Sequence, residues 1–192
     1  MNLKTLALGA YQTNCYILSG GHDALVIDPG YEADTILDAL DGLTLKAILL
    51  THGHFDHVGA VKDLVAETGC AVYIHAAEAT MPPMMTAGDL YYTHTYDEGD
   101  TISPIAGVKL TVLHTPGHTP GSVCLICGQD LFAGDTLFAG SCGRVDLPGG
   151  DPVRMVQSLN RLASLKADYR VHPGHGPSTT LAQEKRHNPY LR

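Results

Sequence analysis

The sequence predicts an α/β protein in which β-sheets are covered by helices. Three observations lead there. Short apolar, β-branched runs bounded by Gly, Pro, Asn or Asp recur along the chain. Between them lie stretches whose apolar residues return at helical spacing. The strands begin as hairpins and only then alternate with helices, as expected where helices cover sheet faces. In order, Leu3–Ala7, Asn14–Ser19 and Ala24–Asp28 read as strands, followed by a helix over Ala33–Leu40. Lys46–Leu50 reads as a strand, Ala60–Glu67 as a helix and Ala71–His75 as a strand. A second group of strands follows at Val108–His114, Ser122–Cys127, Asp130–Ala133 and Tyr169–His172, with helices over Val153–Leu165 and Leu181–His187. Asp151 with Pro152 behind it supplies a cap and a first turn for the third helix. The loosest stretch is Ala76–Gly99, with Met81, Pro82, Pro83, Met84, Met85, Tyr91 and Tyr92. It is either an apolar wall beside a site or ordinary surface structure in which Met fills gaps.

Length and composition bound the function. A chain of 192 residues fits one domain, 1–192, with a substantial core. A net charge of −8 argues against nucleic acid as a partner, since phosphate binding needs a basic footprint. The five cysteines, Cys15, Cys70, Cys124, Cys127 and Cys142, are odd in number and scattered, which points to a reducing compartment and a cytoplasmic protein. The opening MNLKTLALGAYQTN lacks the length of a signal-peptide core. No stretch approaches the ~18 apolar residues of a membrane span, so no membrane partner is expected.

The chemistry concentrates in THGHFDHVG, directly after the apolar run Lys46–Leu50. His52, His54, Asp56 and His57 place three imidazoles and a carboxylate within six positions. Neutral imidazole is the commonest side-chain metal ligand, and this density of ligand types predicts a metal site rather than a polar loop rich in His. Three further segments repeat one design, an apolar strand followed by a turn bearing a ligand-type residue. LTVLHTPGHTPGS delivers His118, DLFAGDTLF delivers Asp135, and YRVHPGHGPS delivers His175. Packing those strands side by side would gather all seven residues at one edge. Seven ligands exceed what one tetrahedral zinc takes. Two divalent metal ions sharing a carboxylate fit the count, and a water between them loses its proton readily. The donor set suits zinc, with iron or manganese as alternatives.

The other histidines read more plainly. His114 and His172 lie on predicted strands as packed or hydrogen-bonded residues, with support of a ligand as the alternative; His22, His75, His94 and His187 read as surface residues. Asp28 in VIDPG is either a plain Asp-Pro-Gly turn or a support for a ligand. Cys124 and Cys127 form a CxxC, but an odd offset on a strand points them to opposite faces and makes a redox or metal pair unexpected.

Together, the HxHxDH pattern in THGHFDH, the segments TPGHTPGS and GDTLF, and the final PGHG resemble the metallo-β-lactamase superfamily, in the family's order and over nearly the whole chain. The resemblance implies an αββα sandwich of two mixed sheets flanked by helices. It also implies that His52, His54 and His118 hold one metal, that Asp56, His57 and His175 hold the other, and that Asp135 bridges. His54 separates the chain from flavodiiron oxygen reductases, which resemble this pattern but carry Glu there. More narrowly, GDTLFAGSCGRVDLPGGD and STTLAQEKRHNPYLR resemble glyoxalase II in its short bacterial form, without the C-terminal helical domain of the full-length enzymes. Arg144 stands where that family has a basic residue after Cys-Gly; Asp146 and Pro177 stand where it has tyrosines.

The expected reaction is hydrolysis of a small-molecule thioester of the S-lactoylglutathione type by a metal-bridging hydroxide, with Asp56 and Asp135 acting through it. A leaving thiol with a pKa near ~8.5 departs as thiolate without a strong general acid. Arg144, Asp146, Lys185 and Arg186 are the expected substrate contacts, with a solvated helix face as the alternative for the last two. The competing expectations are a lactone, lactam or phosphodiester hydrolase on the same fold and a mononuclear iron persulfide dioxygenase, similar through the CGR segment. A non-enzymatic metal-binding scaffold is the remaining one.

Overall fold

The computed structural model describes residues 1–86 and 88–191. Strands β1 (Asn2–Leu8), β2 (Thr13–Gly20) and β3 (Asp23–Ile27) pair antiparallel in sequence order. Helix α1 (Ala33–Leu40) leads to β4 (Thr44–Leu49); α2 (Phe55–Val58) and α3 (Val61–Thr68) lead to β5 (Ala71–His75). Parallel neighbours need such crossovers, and β4 and β5 duly add in parallel beside β3. Strand β6 (His94–Tyr96) completes the first sheet, in the order β1-β2-β3-β4-β5-β6. Between β5 and β6 the chain makes a 3-10 turn over Ala76–Thr80.

Strands β7 (Thr101–Ile105), β8 (Val108–His114), β9 (Val123–Cys127) and β10 (Asp130–Gly134) form a second antiparallel meander. A small hairpin of β11 (Leu137–Phe138) and β12 (Ser141–Cys142) and helix α4 (Pro152–Ser164) follow. Strand β13 (Arg170–Pro173) then pairs in parallel with β10, and β14 (Thr179–Thr180) closes the sheet before α5 (Leu181–His187). Asp151 caps α4 by accepting from the amides of Val153 and Arg154 at 2.9 and 3.0 Å, with Pro152 in the first turn as the sequence predicts.

The layers follow from period-2 alternation on strands buried on both faces. On β3, Ala24 and Val26 pack towards α1 and α3 with Ile36, Leu40 and Leu64, while Leu25 and Ile27 face the other sheet. On β9, Val123, Leu125 and Cys127 share that inter-sheet core, whereas Cys124 packs towards α4 with Met155, Leu159 and Leu162. The order is therefore helix, sheet, sheet, helix. Cys124 and Cys127 lie in different cores, as their spacing predicts.

Several elements depart from the sequence expectation. Strand β7 carries Pro104, which cannot donate to a ladder; it sits at the sheet edge, where the pairing register shifts between Ile102 and Ile105. Strands β6, β11, β12 and β14 are two or three residues long, too short to show a period. Helix α2, Phe-Asp-His-Val, is a single turn, too short to show an apolar period. His75 is buried rather than at the surface: it stacks on His114, ring centroids 4.1 Å apart, and bonds Asp97 at 3.2 Å. His22, His94 and His187 are exposed. Among the described residues no helix is long and apolar enough to cross a membrane.

At one end the sheets are joined to each other. The Val123 amide donates to the Thr51 carbonyl at 2.9 Å, and the Asn14 amide to the Gly174 carbonyl at 2.7 Å. The Tyr16 hydroxyl reaches the Pro173 carbonyl at 2.6 Å. The turns after β4, β8, β10 and β13 meet at this end.

Candidate metal centre

Those four turns carry the seven predicted ligand residues, and the structure brings all seven together. His52, His54 and His118 form one group that could hold a metal; Asp56, His57 and His175 form another; in each, the ligand atoms lie within 4.8 Å of one another. Within the first, His54 Nδ1 lies 2.8 Å from His118 Nε2. In the second, His175 Nε2 lies 3.2 Å from Asp56 Oδ2 and 3.4 Å from His57 Nε2. Asp135 stands between them: Oδ1 is 3.4 Å from His57 Nε2, while Oδ2 is 3.5 Å from both His118 Nε2 and His175 Nε2.

The surroundings decide which nitrogen each ring offers. His57 Nδ1 donates to Asp28 Oδ2 at 3.0 Å, His118 Nδ1 to the Arg144 carbonyl at 2.8 Å, and His175 Nδ1 to the Tyr11 carbonyl at 3.1 Å. Thr51 spends its hydroxyl proton on Asp28 at 2.6 Å and its oxygen accepts from His52 Nδ1 at 3.1 Å. Each of these four rings therefore turns Nε2 towards the cluster, where loss of its proton exposes the lone pair a metal ligand needs. Asp28 also accepts from the Thr51 amide at 2.7 Å, so it supports ligands rather than merely making a turn. Thr51 and Tyr11 had no signal in the sequence: one is an unremarkable polar residue after a strand, the other contributes only its carbonyl.

Electrostatics divides the cluster. Burial, and then the neighbouring His57, His118 and His54, push His52 down; burial and His118 take His54 down to about 4. Burial also opposes charge on His57, but the carboxylates of Asp135 and Asp28 outweigh it and raise its pKa. Burial favours a neutral Asp135, yet the charges of His57, His118 and His175 hold it far below the carboxylate range. Asp56 is likewise lowered, burial being overcome by the hydrogen bond from His175 and the charge of His57.

Two glycines make room. A side chain at Gly174 would run into Asp135 and His57, and one at Gly143 would run into the Asp135 backbone. His52 Nε2, His54 Nε2 and Asp135 Oδ1 are buried without a hydrogen-bond partner. Unpaired buried polar atoms cost about 1–3 kcal/mol each, so three in one pocket mark a place for an absent electrophile. Imidazole nitrogens and carboxylate oxygens in two groups sharing Asp135 fit a pair of divalent metal ions.

The predicted substrate contacts lie differently. Arg144 and Asp146 are exposed and pair with each other through two hydrogen bonds of 2.7 Å. Arg144 lines a groove of about 660 Å³ with Gly143, Val145, Met155, Val156 and Tyr190. Lys185 donates to the Leu165 carbonyl at the end of α4, and Arg186 is exposed. Neither lines that groove, and their placement matches a helix face. Of the other histidines, His114 donates to the Pro120 carbonyl at 2.9 Å and His172 to Asp130 at 2.8 Å. Within Ala76–Gly99, the Met85 carbonyl accepts from the Phe55 amide at 2.8 Å, which ties this stretch to the ligand string; Ala87 lies outside the described residues.

The family model described as Metallo-beta-lactamase superfamily matches residues 8–175. Hydroxyacylglutathione hydrolase GloC of Haemophilus influenzae is 34% identical over 209 residues, spanning 100% of this chain and 98% of that protein. The crystal structure of BLEG-1 B3 metallo-beta-lactamase superposes with a TM-score of 0.91 at 36% identity, covering 99% of each chain. TTHA1623 in a di-iron-bound form gives 0.85 at 41% identity over 98% of this chain and 100% of that one. ETHE1 from Myxococcus xanthus gives 0.87 at 30% identity over 98% of this chain and 84% of that one.

Proposed function

The chain belongs to the metallo-β-lactamase superfamily as a metal-dependent hydrolase, and from that premise we propose that it hydrolyses a thioester of the S-lactoylglutathione type. The observation that carries the proposal is Asp135 standing 3.4–3.5 Å from His57, His118 and His175, between two complete ligand groups. In this reading His52, His54 and His118 hold one metal, Asp56, His57 and His175 hold the second, and Asp135 is shared. Zinc suits the donors, and the di-iron form of TTHA1623 makes iron the alternative. A bound metal pair supplies a Lewis acid for a carbonyl oxygen and lowers the pKa of a water.

The chain's own groups hold that site in order. Asp28 and the carbonyls of Tyr11 and Arg144 keep the Nδ1 protons of three rings facing outwards. The Thr13 hydroxyl donates to Asp56 at 3.4 Å, and His175, 3.2 Å from that carboxylate, helps keep it ionised. A thiol, pKa ~8.5, leaves as thiolate and needs no proton from a separate side chain. The name of the Haemophilus relative, a hydroxyacylglutathione hydrolase, supports the thioester. We assign Arg144, which lines the groove, and Asp146, paired with it, to the thiol half of the substrate.

A second reading, a mononuclear iron persulfide dioxygenase, draws on the CGR segment and the likeness to ETHE1. It uses fewer ligands, and the intact Asp56–His57–His175 group favours the hydrolase. The deciding experiment offers metal-loaded protein S-lactoylglutathione, an acyl thioester of a different thiol, and a persulfide. Release of free thiol from either thioester is expected. No thiol release at full metal occupancy, or persulfide-dependent oxygen uptake with one iron bound, would overturn the proposal.

A further inference from the structure

Glu78 is buried in the 3-10 turn between β5 and β6, remote in sequence from every ligand. Among the described residues no cation pairs with it. Its partners are instead two backbone amides: Gly53 donates to Oε2 and Gly121 to Oε1, each at 2.6 Å. Gly53 lies between His52 and His54, and Gly121 lies three residues after His118. One carboxylate therefore joins the two loops that carry the whole first ligand group. The glycines show how close the approach is. A Cβ at Gly53 would come within 2.9 Å of Glu78 Oε2, and one at Gly121 within 2.8 Å of its Cγ and Oε1.

We propose that Glu78 is a positioning residue that sets the spacing of the His52–His54 turn against the His118 turn, and so the metal affinity of that group. The inference rests on the metal-centre assignment above. Burying an anion costs several kcal/mol unless hydrogen bonds repay it. A side chain that only filled space would do so better without charge. The two amides reach different oxygens of one side chain, and a carboxylate offers an acceptor at both positions where a carboxamide puts an NH₂ at one. The second group, Asp56–His57–His175, donates no hydrogen bond to Glu78.

The test is a Zn²⁺ titration of metal-free Glu78→Gln against wild type, in competition with a chromophoric chelator, with the histidine rings followed by NMR. Gln preserves volume but turns an NH₂ towards one of the two amides. Affinity of the His52–His54–His118 group is expected to fall ~10–100-fold, the usual cost of removing a supporting contact. The other group is expected to fill at wild-type concentrations. Wild-type affinity for the first group in Glu78→Gln, or an equal loss at both groups, would overturn the inference. If the variant does not fold, metal-free wild type decides: the Gly53 and Gly121 amide protons are expected to exchange slowly, and exchange at open-loop rates refutes the contact. If wild type binds no metal while both amides stay protected, the metal-centre assignment fails and the link between the loops stands.

Discussion

Each imidazole that donates Nδ1 outwards turns Nε2 into the cluster, and that is a property of its partner rather than of the histidine. His57 depends on Asp28, which also accepts from both polar groups of Thr51 and through Thr51 orients His52. Asp28 sits at φ 53°, a left-handed conformation that Asn tolerates as well as Asp. Asp28→Asn therefore keeps the backbone and volume while losing an acceptor. Metal affinity is expected to fall ~10–100-fold, read by chelator competition, with the fold unchanged by circular dichroism. Asp135→Ala removes the residue shared by both groups. Metal content should drop, and kcat/KM on the responsive thioester should fall at least ~100-fold, since a polarising metal contributes several kcal/mol. Normal metal content and turnover would refute the bridging assignment.

At the scale of elements, the sheets bring the ligand turns to one end, and the pairs between strands hold the turns in place. Asp130 at the start of β10 is buried and accepts two hydrogen bonds from Arg170 and one from His172, both on β13. Asp135 directly follows β10 and His175 lies two residues past β13, so this polar link, joining the two strands in parallel register, holds both ligand turns together. Burial raises the Asp130 pKa, but the Arg170 hydrogen bonds and then His172 outweigh it, and the net shift is downward. A carboxyl lowered on folding contributes stability that is fully present above the unfolded value, near ~3.9. That contribution is lost as pH falls through the folded value. Asp130→Asn should cost roughly 1–3 kcal/mol at neutral pH. Urea unfolding should show the gap from wild type closing as pH drops below about 4; a gap independent of pH would refute the ion-pair account. Helix α2 shows how short elements escape sequence patterns. Its single turn draws Asp56 and His57 into the cluster, but four residues are too few to show a period.

For the molecule as a whole, the candidate centre links both sheets, because one turn follows β4 and the others follow β8, β10 and β13. Metal binding should therefore stabilise the entire fold and not one loop. With free metal at about 100 times its Kd the gain is ~2.7 kcal/mol. A chelator is expected to lower the melting temperature in a single cooperative transition, read by calorimetry. An unchanged transition would show that the cluster does not bind metal in the folded state. Much of this was legible from the residues: nine of the fourteen strands among the described residues, the four longer helices, the Asp151 cap, and seven ligand types placed after strands. Those signals are local, carried by spacing and composition within about ten positions. Glu78, Thr51, Asn14 and Tyr16 gave no such signal, and His75 read as exposed. What they do depends on partners far away in the chain: Gly121 for Glu78, Asp28 for Thr51, Pro173 for Asn14 and Tyr16, and His114 for His75. Which chemistry is present could be read before folding, because ligand type and strand pattern are written in short stretches. Which atoms meet is settled by folding, since burial and hydrogen bonding between distant segments select the tautomer, the charge and the loop spacing.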